Sequence, residues 1–285
     1  MRAKLYYNES MVNGMANDMA NKANQWNIAL LQMDIAIGEP DLNYAVLEGL
    51  LEQAIKAEAK PDVVMFPEMW NTGYALDRIH ELADVDGERT HALLSSFARE
   101  HGVNVIGGSI AEKKGDQIFN TIYVYNREGI KVAEYSKIHL FRLMEEEKYL
   151  QEGSHIGQFE LDGIPCGMMI CYDIRFPELS RKLALGGAQI LFVPAEWPNP
   201  RLHHWRTLLM ARAIENQMFV MSCNRVGTSG TTEFFGHSMA IDPWGEIIAE
   251  GTEAEQIIRT QIDLELVQQV RSRIAVFEDR RPSLY

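Results

Sequence analysis

Short, nearly unbroken apolar runs alternate along this chain with amphipathic stretches of helical spacing. Residues 27–33 (NIALLQM), 63–66 (VVMF) and 103–106 (VNVI) read as buried strands. Between the first two, Val46, Leu47, Leu50, Leu51, Ala54 and Ile55 predict a helix over 43–59, stopped by Pro61. A second helix is predicted over 90–101. The pattern then changes. Residues 117–125 and 130–135 flank Asn126-Arg-Glu-Gly129, a hairpin turn. Residues 158–161 and 165–170 flank Asp162-Gly163, a second hairpin signal. A helix with Pro at its first position follows over 177–185, then a strand at 190–193 and a helix over 203–217. Strands near 219–222, 238–241, 247–249 and 256–262 precede a short helix near 264–273.

Helices alternating with strands, with hairpins among them, predict an α/β or α+β layered domain with mixed sheets. No internal repeat, low-complexity tract or Pro/Gly linker divides the chain, so residues 27–285 are expected to form one domain. Residues 1–26, rich in Asn and Met, read as a flexible extension, and Met11, Met15 and Met19 leave open a start further in.

Composition narrows the function classes. The formal charge of −13 argues against nonspecific binding to nucleic acid or an anionic membrane, because both need a basic face. No apolar run is long enough for a transmembrane helix. The three cysteines, Cys166, Cys171 and Cys223, form no CxxC pair, which suits a reducing cytoplasm. The phosphate-binding glycine motifs, HExxH and paired CxxC are absent, so neither a cofactor nor a metal is expected.

Three polar residues at strand ends remain. Glu68 follows the run Val63–Phe66, at a strand exit where α/β active sites are built. Taken alone, a Glu there is more readily a capping or salt-bridged surface residue. Lys137, in Tyr-Ser-Lys-Ile-His-Leu, also follows a strand, and its bland reading is a solvated strand end. Cys171 stands between an apolar strand and a helix, a strand–Cys–turn–helix layout that presents a thiol at a sharp corner. Most free cysteines are small buried hydrophobes, the reading we give Cys166 and Cys223.

Together the three types fit amide chemistry. A thiol is only a few per cent thiolate near neutrality. An ammonium at ~4 Å contributes ~4 kcal/mol at an effective dielectric of 20, enough to lower its pKa substantially. A nearby Glu can take the thiol proton, pass it to departing ammonia, and then activate water against the thioester. Lys137 and the backbone N–H of Tyr172 can hold the oxyanion. A Cys–His alternative would have to draw on His203, His204 or His237, none in an obvious base position.

The motifs Phe-Pro-Glu68, Tyr-Ser-Lys137-Ile-His-Leu and Ile-Cys171-Tyr-Asp-Ile-Arg-Phe-Pro-Glu, in this order, resemble the nitrilase, or carbon–nitrogen hydrolase, superfamily with its Glu–Lys–Cys triad. The resemblance runs from about residue 27 to 285. It implies a four-layer α-β-β-α sandwich with two mixed sheets and a homodimer or larger homo-oligomer. It also implies a second, supporting glutamate, for which Glu145, Glu146 and Glu147 are candidates; aligning Tyr149-Leu150-Gln-Glu-Gly153 favours Glu146. Pro-Glu68-Met-Trp-Asn-Thr-Gly-Tyr74, Pro-Ala-Glu-Trp197-Pro, Gly-His-Ser238 and Asp-Pro-Trp-Gly245 are most similar to the omega-amidase branch, which converts 2-oxoglutaramate or 2-oxosuccinamate to a dicarboxylate and ammonia. A 2-oxo acid tail needs a cation, and Arg175 can grip a carboxylate through two hydrogen bonds. Its bland reading is a structural pair with Glu178 or another carboxylate. Tyr74 and Trp197 could wall a small pocket. A deamidated glutathione amidase, an N-carbamoyl amino-acid amidohydrolase and a nitrilase share the triad. The non-enzyme alternative is a silent binding module, against which the intact triad speaks.

Overall fold

The computed structural model describes residues 24–284. The expectation of a flexible extension over 1–26 falls, for residues 1–23, outside the described residues.

The first part of the chain forms β1 (Gln25–Gln32), α1 (Pro40–Ile55), β2 (Val63–Met65), a short α2 (Ile79–Leu82), β3 (Asp84–Val85), α3 (Glu88–His101), β4 (Asn104–Ile106), β5 (Ile110–Lys114), β6 (Gln117–Tyr125) and β7 (Lys131–Ser136). The second forms β8 (Gly157–Leu161), β9 (Ile164–Met168), α4 (Pro177–Leu185), β10 (Ile190–Ala195), α5 (Leu202–Asn216), β11 (Phe219–Asn224), β12 (Val226–Ser229), β13 (Thr232–Phe235), β14 (Met239–Ile241), β15 (Ile247–Glu250), β16 (Gln256–Asp263) and α6 (Glu265–Arg273). One sheet has the order β16-β1-β2-β4-β6-β5-β3, with β7 paired to β6; the other runs β15-β14-β11-β10-β9-β8. Both mix parallel and antiparallel pairs. β12 and β13 make a separate hairpin.

The apolar runs read from the sequence are uninterrupted because both faces of these strands are covered. In β1, Ile28 and Leu30 enter the core between the sheets, while Ala29 and Leu31 meet α1 and α3. Val63 and Met65 of β2 face inward, and Val64 faces the helices. On the far side, Leu179 and Leu183 of α4 and Trp205, Leu209 and Ala213 of α5 close over the second sheet. The order is helix, sheet, sheet, helix: the four-layer sandwich expected from the motifs. β16 returns the end of the chain to β1 in antiparallel register from Gln25↔Asp263 to Gln32↔Gln256.

Differences from the periodicity reading have local causes. α1 begins at Pro40, whose missing N–H costs nothing at a helix start. Asp162 and Gly163 both have positive φ, as a two-residue hairpin turn requires. The strand expected over 165–170 leaves the sheet at Met168, and Met169 and Ile170 carry the chain out to Cys171. β3, β5 and the β12–β13 hairpin were not foreseen, being two residues long, half polar, and rich in Thr and Gly.

Candidate active site

Glu68 lies just beyond β2, Lys137 directly after β7, Cys171 beyond β9, and Glu196 directly after β10. Each follows the carboxyl end of its strand, so the sandwich collects them at one end of the molecule. Cys171 opens a 3-10 turn (Cys171–Arg175) with φ 45°, a left-handed conformation costly for any side chain but glycine's. Buried Asp173 holds that corner. Its Oδ2 accepts from the Ile170 N–H at 2.9 Å and the Tyr135 hydroxyl at 2.7 Å. Its Oδ1 accepts from the His139 N–H at 3.1 Å and lies 2.7 Å from His139 Nδ1. Tyr135 and His139 bracket Lys137, so one carboxylate ties the lysine segment to the cysteine turn.

A close backbone approach places Glu68. Gly108 has φ 55°, and a Cβ there would stand 2.2 Å from the Pro67 carbonyl oxygen. The next residue, Ser109, accepts from Trp70 N–H through its carbonyl and from Met69 N–H through its hydroxyl. Gly108→Ala is therefore expected to cost about 2–4 kcal/mol, from overpacking and the positive φ together. Activity per folded molecule should also fall as the Glu68 segment is displaced. Denaturant unfolding with parallel rate measurement checks this; an unchanged midpoint would contradict it.

Lys137 is fully buried between two buried carboxylates. Its ammonium donates to Glu68 Oε1 at 2.9 Å and to Glu146 Oε1 at 2.7 Å. Of the acidic triplet, Glu146 is the one turned inward; Glu145 pairs with Lys148, and Glu147 is exposed. The other Glu146 oxygen accepts from the Phe141 N–H at 2.9 Å. Glu68 Oε1 also accepts from Asn120 Nδ2 at 2.8 Å, and Oε2 accepts from the Glu196 N–H at 2.8 Å. The Tyr74 hydroxyl lies 2.7 Å from both carboxylates and can give its single proton to one at a time. Tyr74 is thus bonded into the charged cluster as well as lining the cleft.

Burial alone would raise the Glu68 carboxyl, but the Lys137 charge and the donors around it hold it below the usual carboxylate range. Lys137 is pushed the other way: burial lowers it, and Glu146 and Glu68 together raise it well above the usual ammonium range. For Cys171, burial raises the thiol, the Glu68 charge raises it further, and Lys137 offsets this only in part. Lys137 does lower the thiol pKa, as expected, but burial and the Glu68 charge outweigh it, so the net shift is upward. One cation shared by two carboxylates leaves the surroundings negative, and the proton stays on sulfur. Glu68 remains ionised and ready to accept it.

Cys171 opens on a narrow cleft lined also by Tyr74, Tyr172, Arg175, Trp197 and Arg201, with Phe141 and Met144 on an apolar side. The N–H of Tyr172 lies in the first turn after the thiol, where helical N–H groups lack intrahelical partners. Arg175 stacks 4.8 Å over the Trp197 ring and approaches His204 Nδ1 at 3.4 Å. The anticipated pair with Glu178 is not formed. Among the described residues, neither Arg175 nor Arg201 has a carboxylate within ion-pair distance. Burial and the neighbouring charge of Arg175 lower the Arg201 pKa. His237 is engaged by Arg206 and Glu250, and none of His203, His204 and His237 lines the cleft.

Asn120, Arg201 and Arg225 carry no local motif that would single them out, and Asp173 lies within the cysteine motif without a role assigned to it. The Pro-Ala-Glu-Trp197 motif and a strand-exit position shared with Glu68 were the usable signals for Glu196. Its Oε2 accepts from Arg225 Nη1 at 3.0 Å, and Arg225 is anchored in turn by Asp34 and the Ile35 carbonyl.

Two glutamates and a lysine behind a thiol, at the strand ends of a four-layer sandwich, define an enzyme class. The chain belongs to the carbon-nitrogen hydrolase family, which it matches over residues 27–272. It is 48% identical to the 2-oxoglutaramate amidase of Bacillus subtilis (strain 168) over 261 residues, covering 92% of this chain and 100% of that protein. With omega-amidase NIT2 of Homo sapiens it shares 32% identity over 272 residues, 91% of this chain and 96% of that one. Among solved structures, a carbon-nitrogen hydrolase from Helicobacter pylori G27 superposes with a TM-score of 0.87 at 26% identity, covering 92% of this chain and 97% of that one. The protein is accordingly a hydrolase of carbon–nitrogen bonds.

Proposed function

We propose that this enzyme hydrolyses the terminal amide of a small 2-oxo dicarboxylic acid monoamide, 2-oxoglutaramate or 2-oxosuccinamate, with Glu68, Lys137 and Cys171 as its catalytic residues. The observation that carries the reading is the Cys171 thiol beside the buried Glu68–Lys137–Glu146 cluster, opening on a cleft that holds two arginines without carboxylate partners among the described residues. The likeness to a 2-oxoglutaramate amidase over nearly the whole chain supports the substrate.

In the first half-reaction, Glu68 takes the Cys171 proton as sulfur attacks the amide carbon. The C–S bond forms and the carbonyl pair moves to oxygen. The oxyanion is held by the Tyr172 N–H and by Lys137, which gives two of its three N–H bonds to Glu68 and Glu146 and can turn the third from a long 3.4 Å contact with the Tyr74 hydroxyl to the oxyanion. Glu68 returns the proton to nitrogen, the C–N bond breaks, and ammonia leaves a thioester. In the second half, Glu68 takes a proton from water, hydroxide adds to the thioester carbon, and the C–S bond breaks as the thiol regains the proton. Glu146 acts through Lys137 as a positioning residue. No step calls on a cofactor or a metal.

Arg175, with Arg201 beside it, holds the substrate carboxylate. Arg175→Ala is expected to raise KM about 10- to 100-fold for carboxylate-bearing amides, the worth of a charge-assisted hydrogen bond, and to leave neutral amides nearly unchanged. Equal effects on both would make Arg175 structural. The deciding experiment for the function is ammonia release from 2-oxoglutaramate, glutamine, deamidated glutathione, N-carbamoyl-β-alanine and a nitrile, assayed side by side. Preference for anything but the 2-oxo amide would overturn the substrate, and no turnover of any of them would overturn the enzyme reading.

We further propose a homodimer or larger homo-oligomer working in the cytoplasm. Ile214 on α5 and Trp244 are apolar, 51% and 38% exposed, and neighbour each other through Gly245. Such a patch is the kind two copies bury. The three free cysteines suit a reducing compartment. A monomer mass in sedimentation equilibrium would refute the assembly, and export from the producing cell would refute the compartment.

A further inference from the structure

The cleft contains one ionisable side chain to which the reaction gives no task. Glu196 is 1% exposed and lines the cleft beside Cys171, Arg175 and Arg201. Arg225 fixes one of its oxygens. Among the described residues, the other, Oε1, is buried and has no hydrogen-bond partner. A buried polar atom left unpaired costs about 1–3 kcal/mol, so it is expected to have a partner that arrives with the ligand.

The substrate supplies one candidate. In a 2-oxo amide the amide oxygen is met by Tyr172 and Lys137, and the carboxylate by Arg175 and Arg201. The oxo oxygen beside the carboxylate is the polar atom still unmatched. It can only accept a hydrogen bond. An amino acid amide such as glutamine carries an ammonium in its place, which can only donate.

We propose that Glu196 reads this position: its Oε1 hydroxyl donates to the oxo group of a 2-oxo amide. The inference rests on the amide reading given above and sharpens it to the atom that separates the two substrate classes. Arg225 can only donate, so it claims Oε2 as its acceptor and leaves the acid proton on Oε1.

The surroundings favour the neutral acid. Burial raises the Glu196 carboxyl more than Arg225 lowers it, and the Glu68 charge adds to the rise, to about 8. The charged groups around it are Arg225 at the end of β11, Glu68 beyond β2, Lys137 beyond β7, and Arg175 and Arg201 along the cleft, with the Cys171 thiol nearby. As pH passes upward through this region Glu196 ionises, loses its donor, and sets a carboxylate against the oxo dipole.

The test compares kcat/KM for 2-oxoglutaramate with that for glutaramate, which lacks the oxo group. Both use the same thiol, base and arginines, so in the ratio the titrations of those groups cancel, as does any loss of folded enzyme. In the wild type the ratio is expected to fall about tenfold between pH 6.5 and 9, one hydrogen bond's worth. In Glu196→Gln, Arg225 holds the amide oxygen and leaves an NH₂ donor at the Oε1 position. That variant should keep a high ratio that no longer varies with pH. Glu196→Ala should show the low ratio at every pH; if it does not fold, the pH profile of Glu196→Gln decides alone. A ratio in Glu196→Gln that still falls with pH, or one in Glu196→Ala equal to the wild type's at pH 6.5, overturns the proposal. A wild type that cleaves 2-oxoglutaramate and glutaramate equally well at pH 6.5 overturns it too, while leaving the amide reading intact. Failure to cleave either overturns the amide reading and this inference with it.

Discussion

Lys137→Met is expected to inactivate the enzyme and to destabilise it by about 3–5 kcal/mol, the cost of removing one member of a buried ion cluster. Lys137 has no exposed surface, and neither do the Glu68 and Glu146 side chains it bridges. Methionine fills much of the same volume but leaves two buried carboxylates facing each other. The pH dependence follows from the Glu68 shift. In the wild type its folded pKa lies below the ordinary 4.5, so its contribution is present above that value and fades as pH falls through the folded pKa. In the variant the cation is gone and burial raises the same carboxyl, so stability is lost as pH rises above 4.5. The deficit should therefore be small in acid and full by neutrality. Urea unfolding of both proteins at pH 4.5 and pH 7.5 measures this. A deficit that is constant with pH would mean that packing, not charge, sets the cost. Turnover is expected to fall at least about 10³-fold, because the oxyanion loses its cation and Glu68 its low pKa.

The other large effect belongs to Cys171. Cys171→Ala is expected to reduce turnover by about 10⁴-fold or more, the loss typical of removing a covalent nucleophile. Binding of a carboxylate-bearing amide should persist, since Arg175 and Arg201 are untouched. The backbone adds a second expectation. Glycine usually destabilises relative to alanine, but at φ 45° the order should invert, with Cys171→Gly more stable than Cys171→Ala by about 1 kcal/mol. Thermal unfolding of the two inactive variants tests this. The reverse order would show that the turn relaxes once the thiol is gone.

Much of this could be read from the chain. Buried strands such as Val63–Met65 and Ile190–Ala195 announce themselves because both faces meet apolar layers, and Pro177 marks the start of α4. Glu68, Lys137 and Cys171 were legible because each directly follows such a strand. Asn120 and Asp173 were not, because their roles come from hydrogen bonds across 52 and 38 residues of chain. Arg201 illustrates the same limit: nothing before α5 hints that it turns back beside Arg175. The charge balance at the thiol was also out of reach. Sequence shows that a lysine is present, but only the fold shows that Glu146 shares it with Glu68.

That sharing has a consequence for how the enzyme ages. Peroxide attacks thiolates, not thiols, and oxidation damages a catalytic sulfur in proportion to the time it spends deprotonated. Burial and the Glu68 charge keep the Cys171 proton in place, and in the proposed mechanism it leaves only as an amide carbonyl arrives to take the electrons. Between turnovers the sulfur is chemically quiet. The enzyme should outlast thiolate-based hydrolases in dilute peroxide without a dedicated reductant.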